Sequence, residues 1–346
     1  CLQICHAGPI ALIWPDRVWY HSCTPAVLER MAFVAVNASE SFTEPSGHLL
    51  ALDLDTQAEA ARCALGGQPD SVSLAPDGSF LAVAVENERD EDAGDGRVPQ
   101  RPGGFVAIVP LADGQPDCVA IVRADVTGLA AVAPEDPEPE FVDVNAEGEV
   151  VVTLQENNHL VVLGRDGAVL SHFSAGSVDL DGIDTQEDGA LRFVEAAEGV
   201  LREPDGVQWI DADRFATANE GDMDGGSRSW TIWGQDGTVV FESGASFEQA
   251  AAAIGHYPDR RSDAKGVEPE SIAFDVFDGI PLVFVGAERG SAVGVYDVTD
   301  PAAPVLTQML PSGIGPEGFA TIPSRGLLAS ANETDLGADG LARAHV

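Results

Sequence analysis

Basic residues are scarce in this chain. It has 18 Lys and Arg against 57 Asp and Glu, a formal net charge of −39 over 346 residues. That balance excludes general nucleic-acid binding, which needs a basic footprint. It also argues against docking on anionic membranes. An acid excess fits a solvated surface adapted to salt, where ions screen the self-repulsion, or a protein that binds cations. No run approaches the roughly 20 apolar residues of a membrane helix, so membrane insertion is not expected. The apolar stretch from Pro9 to Trp14 is too short for a signal-peptide core, and no basic segment precedes it.

Familiar catalytic signatures are missing as well. There is no Gly-x-Ser-x-Gly elbow, no Walker loop and no His-Glu-x-x-His. Gly313-x-Gly315-x-x-Gly318 matches a dinucleotide fingerprint by letters only, because it contains Pro316 and opens a strand. The seven histidines are scattered, with only His159 and His256 near the loops of interest. Five cysteines form no metal-ligand pattern. Cys63 and Cys118 lie on expected strands and read as buried free thiols rather than a disulfide. Cys1, Cys5 and Cys23 fall in a segment with a single acid, Asp16. Residues 1–24 match no repeat and read as an atypical end, native or chimeric, that packs poorly or serves as a makeshift edge strand.

What the sequence does have is a recurring phrase: proline, an acid, a strand, then a second strand ending in Asn or Glu. Pro69-Asp70-Ser71-Val72 leads to Glu86-Asn87, and Pro139-Glu140-Phe141-Val142 leads to Glu156-Asn157. Pro204-Asp205-Gly206-Val207 leads to Asn219-Glu220, and Pro269-Glu270-Ser271-Ile272 leads to Glu288. Pro316-Glu317-Gly318-Phe319 leads to Asn332-Glu333, and Ala32 to Glu40 keeps only the second half. The acids after proline sit 70, 65, 65 and 47 residues apart. Short strands repeating at such a period predict a propeller or solenoid.

Within each unit, apolar residues alternate and tight turns such as Pro76-Asp77-Gly78 separate the strands. Four antiparallel strands per unit make a propeller blade. The expected fold is therefore all-β: a propeller of six to seven four-stranded blades spanning residues 25–346, with an incomplete N-terminal blade. The last unit stops near Val346 at about its third strand. Only Ser246 to Ile254 reads as helix, with Ser246 as its cap. Glu88–Gly104 and Pro134–Pro139 read as charged loops that need no core, and Asp179–Asp184 as an acidic loop inserted between blades.

Strand direction turns the repeat into a candidate site. The start of a blade's first strand and the end of its second lie on the same rim. Asp70, Glu140, Asp205, Glu270 and Glu317 are thus expected at a channel mouth, with Glu220, Glu333 and the other strand-ending residues as a shell. Clustered carboxylates raise one another's pKa unless a cation neutralises them, and hard oxygen donors suit Ca²⁺ or Mg²⁺. The alternative is that each acid caps backbone amides at a turn. The few bases fall on the same loops. Arg89, Arg228, Arg289 and Lys265 are candidates for holding phosphate or another anion, or for salt bridges to the neighbouring acids.

Thr153-Leu-Gln-Glu-Asn-Asn158, Thr217-Ala-Asn-Glu-Gly-Asp222, Arg261 to Glu270, and Val285-Gly-Ala-Glu-Arg-Gly290 followed by Val295 to Pro301 resemble the choice-of-anchor I family. These are bacterial secreted or surface propellers, often described as alkaline-phosphatase-like, and they are similar to the esterase-like domain of phytases. The resemblance covers about residues 32–346. It implies a seven-bladed propeller exported to the periplasm or the cell exterior. Three functions follow as expectations. The first is a monomer whose acidic mouth binds Ca²⁺ and a small or polymeric ligand. The others are a metal-dependent phosphoric ester hydrolase, and a surface interaction scaffold with no small-molecule site.

Overall fold

In a computed structural model, the described residues are 31–334, 336, 337 and 344. The expectations for residues 1–24, and for a third strand running toward Val346, lie outside them. The chain divides into two compact units, Cys1–Ser174 and Ala175–Val346.

Among its described residues, the first unit holds three antiparallel sheets. Met31–Asn37, Gly47–Asp53 and Ala58–Ala64 make the first. Pro69–Leu74, Phe80–Val85 and Phe105–Ala112 make the second, completed at its edge by Val122–Ala124 and the short Gln115–Pro116. Pro139–Val144, Val150–Leu154, His159–Leu163 and Val169–Ser174 make the third, in simple sequence order. Faces of neighbouring sheets bury one another. Phe33, Leu49, Val72, Leu81 and Phe105 pack as one apolar layer. Phe80, Ile108, Val142, Val152 and Leu163 pack as the next.

The second unit begins with a separate hairpin, Ser177–Ile183 with Glu195–Leu201. Two four-stranded sheets follow in sequence order. One is Val207–Trp209, Arg214–Asn219, Ser229–Gly234 and Val239–Glu242; the other is Pro269–Phe277, Ile280–Ala287, Ala292–Asp297 and Val305–Pro311. Pro316–Ile322 and Leu327–Asn332 form the last pair. Trp230, Phe247, Val283 and Tyr296 sit in the layer between the two large sheets. Burying an aromatic or aliphatic side chain of this size stabilises the fold by about 1.5–3 kcal/mol. That is why strands with apolar residues on both faces, such as Phe80–Val85, are buried throughout.

Four expectations need correction. Cys63 and Cys118 form a disulfide, with Cα atoms 5.0 Å apart. The edge of the first sheet meets the loop after Gln115–Pro116, a neighbour relation that no local spacing reveals. The helix Ser246–Ala253 is not capped by Ser246. Ala245 occupies the N-cap without a side-chain hydrogen bond, and the Ser246 hydroxyl donates to the carbonyl of Ser243. The acidic insertion is not a loop, because Asp179 and Asp181 are the outward residues of a strand whose Val178, Leu180 and Ile183 are buried. Finally, the Pro134–Pro139 segment does need an interior: Asp136 and Glu138 are fully buried.

Candidate functional site

At Pro69, Pro139, Pro269 and Pro316 the proline of the repeated phrase is the first residue of a strand, the position where its missing N–H costs no ladder hydrogen bond, whereas Pro204 lies ahead of a strand that opens at Val207. Directly after it, the strand bulges. Pro69 faces Val85 but Val72 faces Val83. The same shift occurs between Pro139 and Val142 against Leu154 and Val152. It recurs at Pro269 and Ile272 against Ala287 and Val285, and at Pro316 and Gly318 against Asn332 and Ala331. In each case the opening strand carries one extra residue. A bulge re-aims the side chains in it, and in these four repeats the acid after proline is one of them; Asp205 precedes its strand, which pairs without a shift.

The bulge also bridges sheets. In the first unit the Ser71 hydroxyl donates to the Glu140 carbonyl (2.8 Å) and accepts from the Val142 amide (3.1 Å). In the second, the Gly206 amide donates to the Glu270 carbonyl (3.1 Å), and the Ser271 hydroxyl to the Pro316 carbonyl (3.2 Å). A Cβ on Gly206 would collide with that Glu270 carbonyl oxygen, so the close approach requires glycine.

Within the first unit, Asp70, Glu86 and Glu140 place carboxylate oxygens within 4.8 Å of one another, and so do Glu86, Glu138 and Glu156. Glu86 ends the second strand of its sheet, one residue beyond the partner of Pro69. Burial, then the charge of Glu88, pushes the Asp70 carboxyl up to about 7. Burial, followed by the charges of Asp70, Glu156, Glu88 and Glu138, lifts Glu86 well above the usual carboxylate range. Glu138 is pushed up to about 10, by burial first and by Glu156 and Asp136 next.

Within the second unit, Glu220, Glu270 and Glu288 converge, and Glu288 is shared with a second group, Glu288, Glu317 and Glu333. Burial dominates the rise of Glu270, with the charges of Glu220, Glu317, Asp205 and Glu288 adding to it. Glu288 rises to about 8 through burial, opposed by Arg289. Glu317 rises to about 10 through burial, then a hydrogen bond with Glu333 and that residue's charge. The Glu288 Oε2 is buried without a hydrogen-bond partner. A set of carboxylate oxygens, one of them orphaned, fits a hard divalent cation such as Ca²⁺. Bound there, the cation would supply Lewis acidity.

The asparagines of the phrase behave differently from the acids. Asn87 accepts from the Gln68 amide (2.9 Å) and donates to the Gly103 carbonyl (3.0 Å). Asn157 accepts from the Glu138 amide (3.0 Å) and donates to the Asp136 carbonyl (3.0 Å). Asn219 bonds Ser229 and Thr231. These residues tie turns and strand ends together.

The four basic candidates are all engaged. Arg89 is buried, its Nη1 2.8 Å from Glu156 and 3.6 Å from Glu138. Arg228 is buried too, donating to the carbonyls of Asp184, Ser262 and Ala264. Arg289 pairs with Glu288 and, at 3.2 Å, with Glu268. Lys265 lies 3.8 Å from Glu220 and 3.9 Å from Glu268. Of these, Lys265 and Arg289 keep partly exposed side chains. His159 is buried against His172, their ring nitrogens 3.1 Å apart, and burial lowers it to about 4. His256 meets the Gly290 carbonyl.

Glu138 and Glu268 are absent from the sequence-based set, although a signal for them exists. Residues 138, 203 and 268 all directly precede the proline of the phrase, and all three are buried glutamates. Among the described residues, no helix is long and apolar enough to cross a membrane.

The described architecture has solved counterparts. It is similar to a periplasmic gluconolactonase from Pseudomonas aeruginosa, with TM-score 0.53, 15% identity, and 88% of this chain matched to 76% of that one. It is also similar to a candidate 6-phosphogluconolactonase from Bacteroides uniformis, with TM-score 0.53, 13% identity, and coverage of 91% and 80%. A protein from Lactobacillus plantarum matches with TM-score 0.51 at 14% identity, over 90% of this chain and 81% of that one. Likeness at such identity concerns the fold alone: the antiparallel sheets are blades of a β-propeller. No match is found among curated proteins. The sequence profile of the Choice-of-anchor I domain matches residues 25–225 and 223–301, most of the length. The chain belongs to the choice-of-anchor I family.

Proposed function

We propose that this protein is an exported β-propeller that binds a divalent cation, calcium first among them, through the carboxylates at the ends of its opening strands. A small or polymeric ligand then docks on the bound ion. The observation that carries this reading is Glu288, shared between two three-carboxylate groups with one oxygen buried and unpartnered. The ligand set is Glu220, Glu270, Glu288, Glu317 and Glu333, with Asp205 adding charge nearby; Asp70 and Glu140 are their counterparts in the first unit. Export to the periplasm or the cell exterior is supported by the family and by the Cys63–Cys118 disulfide, since disulfides persist in oxidising compartments. The protein acts as a monomer without a nucleic-acid partner, in keeping with its charge.

A specific feature favours a second reading. Lys265 and Arg289 stand partly exposed beside Glu220 and Glu288. In a metal-dependent phosphoric ester hydrolase, phytase-like or alkaline-phosphatase-like, the cation would polarise a phosphoryl oxygen while these two bases hold the phosphate. Calcium titration by calorimetry, followed by phosphomonoester turnover with and without chelator, separates the readings. Binding without turnover supports the first, and chelator-sensitive turnover the second. If no calcium binds, the interaction-scaffold reading takes their place.

A further inference from the structure

The three glutamates that precede the repeated proline occupy equivalent positions and are all buried, yet they meet different partners. Glu203 accepts from three backbone amides, those of Asp222, Met223 and Asp224, at 2.8–3.0 Å. Glu268 is met by the guanidinium groups of Arg261 and Arg289 and by Lys265. Glu138 is different. It is fully buried, and neither carboxylate oxygen has a side-chain donor at hydrogen-bonding distance, the Arg89 backbone amide being the one group that faces it. Its nearest cation is the Arg89 guanidinium at 3.6 Å, and that group makes its short bond to Glu156 instead.

A buried carboxylate without a donor is costly. Two further buried acids make the position more demanding, because Glu86 and Glu156 bring oxygens within 4.8 Å of Glu138. Three carboxyl groups therefore meet one guanidinium, and a divalent cation would let all three ionise together. Asp136, buried next to them, is held by the Gln100 amide and adds further negative potential. Calcium takes oxygen ligands at about 2.3–2.6 Å, so ligands on opposite sides of the ion stand about 4.6–5.2 Å apart. The three carboxylates thus lie within the span of one ion.

We propose that Glu86, Glu138 and Glu156 form a separate site for one divalent cation in the first unit, with Arg89 as the balancing internal base. This goes beyond the function proposed above. It uses Glu138 and Glu156, which are not post-proline acids, and a cation here would tie the Glu88–Gly104 loop, through Arg89, to the Pro134–Pro139 segment. Its role is to order those two loops.

The test uses the full chain, stripped with chelator and titrated with calcium alone by calorimetry. The variants are Glu138→Gln and the pair Glu270→Gln/Glu317→Gln. Glu138→Gln is expected to lose one equivalent of calcium, while the double variant keeps that equivalent and loses another. In chelator Glu138→Gln should melt at or above the parent temperature, because the amide keeps the shape of the side chain and removes one member of the crowded carboxyl set. Added calcium should then raise its melting temperature less than the parent's. Unchanged stoichiometry and affinity in Glu138→Gln overturns the site and leaves the function proposed above standing. Loss of calcium binding in the double variant alone, with Glu138→Gln identical to the parent, has the same meaning. If Glu138→Gln fails to fold in chelator, manganese titration of the Glu270→Gln/Glu317→Gln variant by electron paramagnetic resonance decides. A manganese equivalent retained in the double variant supports the site, and its absence overturns it.

Discussion

The Arg228 guanidinium lies 3.4 Å from the Glu248 carboxylate, and both side chains are buried. Arg228 also holds the carbonyls of Asp184, Ser262 and Ala264, so one side chain pins the hairpin, the helix and the segment before Pro269 within the second unit.

Glu248 should make stability fall as pH rises. Burial raises its carboxyl from 4.5 to about 7; Arg228 opposes the shift and Asp184 adds to it, with Tyr257 also facing the group. A raised folded-state pKa means that the native state holds the proton more tightly than the unfolded chain. The stabilisation is full below about pH 4.5 and is lost as pH rises through about 7. The expected loss is on the order of 3 kcal/mol at most, from about 1.4 kcal/mol per pKa unit. Denaturant melts between pH 5 and 8 check it. The stability of the parent relative to Glu248→Gln should decline with pH, and a flat difference would refute the assignment.

Reducing the Cys63–Cys118 disulfide should destabilise the first unit. The bridge spans 55 residues, and closing a loop of that length in the unfolded chain is worth about 4 kcal/mol. The double change Cys63→Ser/Cys118→Ser should lower the melting temperature, and a reducing agent should reproduce the drop in the parent and not in the variant.

Calcium at a hundredfold excess over its Kd should stabilise the parent by about 2.7 kcal/mol through mass action. In Glu270→Gln/Glu317→Gln the stabilisation from the second-unit site should disappear while the circular dichroism spectrum stays unchanged. An equal calcium response in parent and variant would place the cation away from Glu270 and Glu317.

Glu203→Ala should cost on the order of 3 kcal/mol, because it orphans three backbone amides that now meet a carboxylate. Hydrogen exchange offers a local readout: the amides of Asp222, Met223 and Asp224 should lose protection. Unchanged protection there would mean that the loop is held by other contacts, such as the Gly226 amide to the Leu201 carbonyl.

The blades were legible because their determinants are local. Alternating apolar residues define a strand whatever it packs against, and proline reports a position that needs no N–H. The same locality made Asp70, Glu140, Asp205, Glu270 and Glu317 stand out, since each follows that proline. The strand Ser177–Ile183 was not read as one: Val178 and Leu180 alternate with Asp179 and Asp181, but the density of charge made the segment read as a loop.

By itself, then, the sequence determined the strand repeat, the acid after each proline and the surplus of negative charge, because these depend on residues within a few positions of one another. Only the tertiary structure decided which acids meet. The one-residue bulge after Pro269 and after Pro69 turns Glu270 toward Glu220 and Glu288, and Asp70 toward Glu86. It also decided that Cys63 pairs with Cys118, and that Glu203 and Glu268 find short hydrogen bonds where Glu138 finds no side-chain donor. The physical reason is distance along the chain. Apart from Arg261 beside Glu268, these partners lie about 15 to 70 residues apart, and their encounter depends on how whole sheets stack, which no short window of sequence encodes.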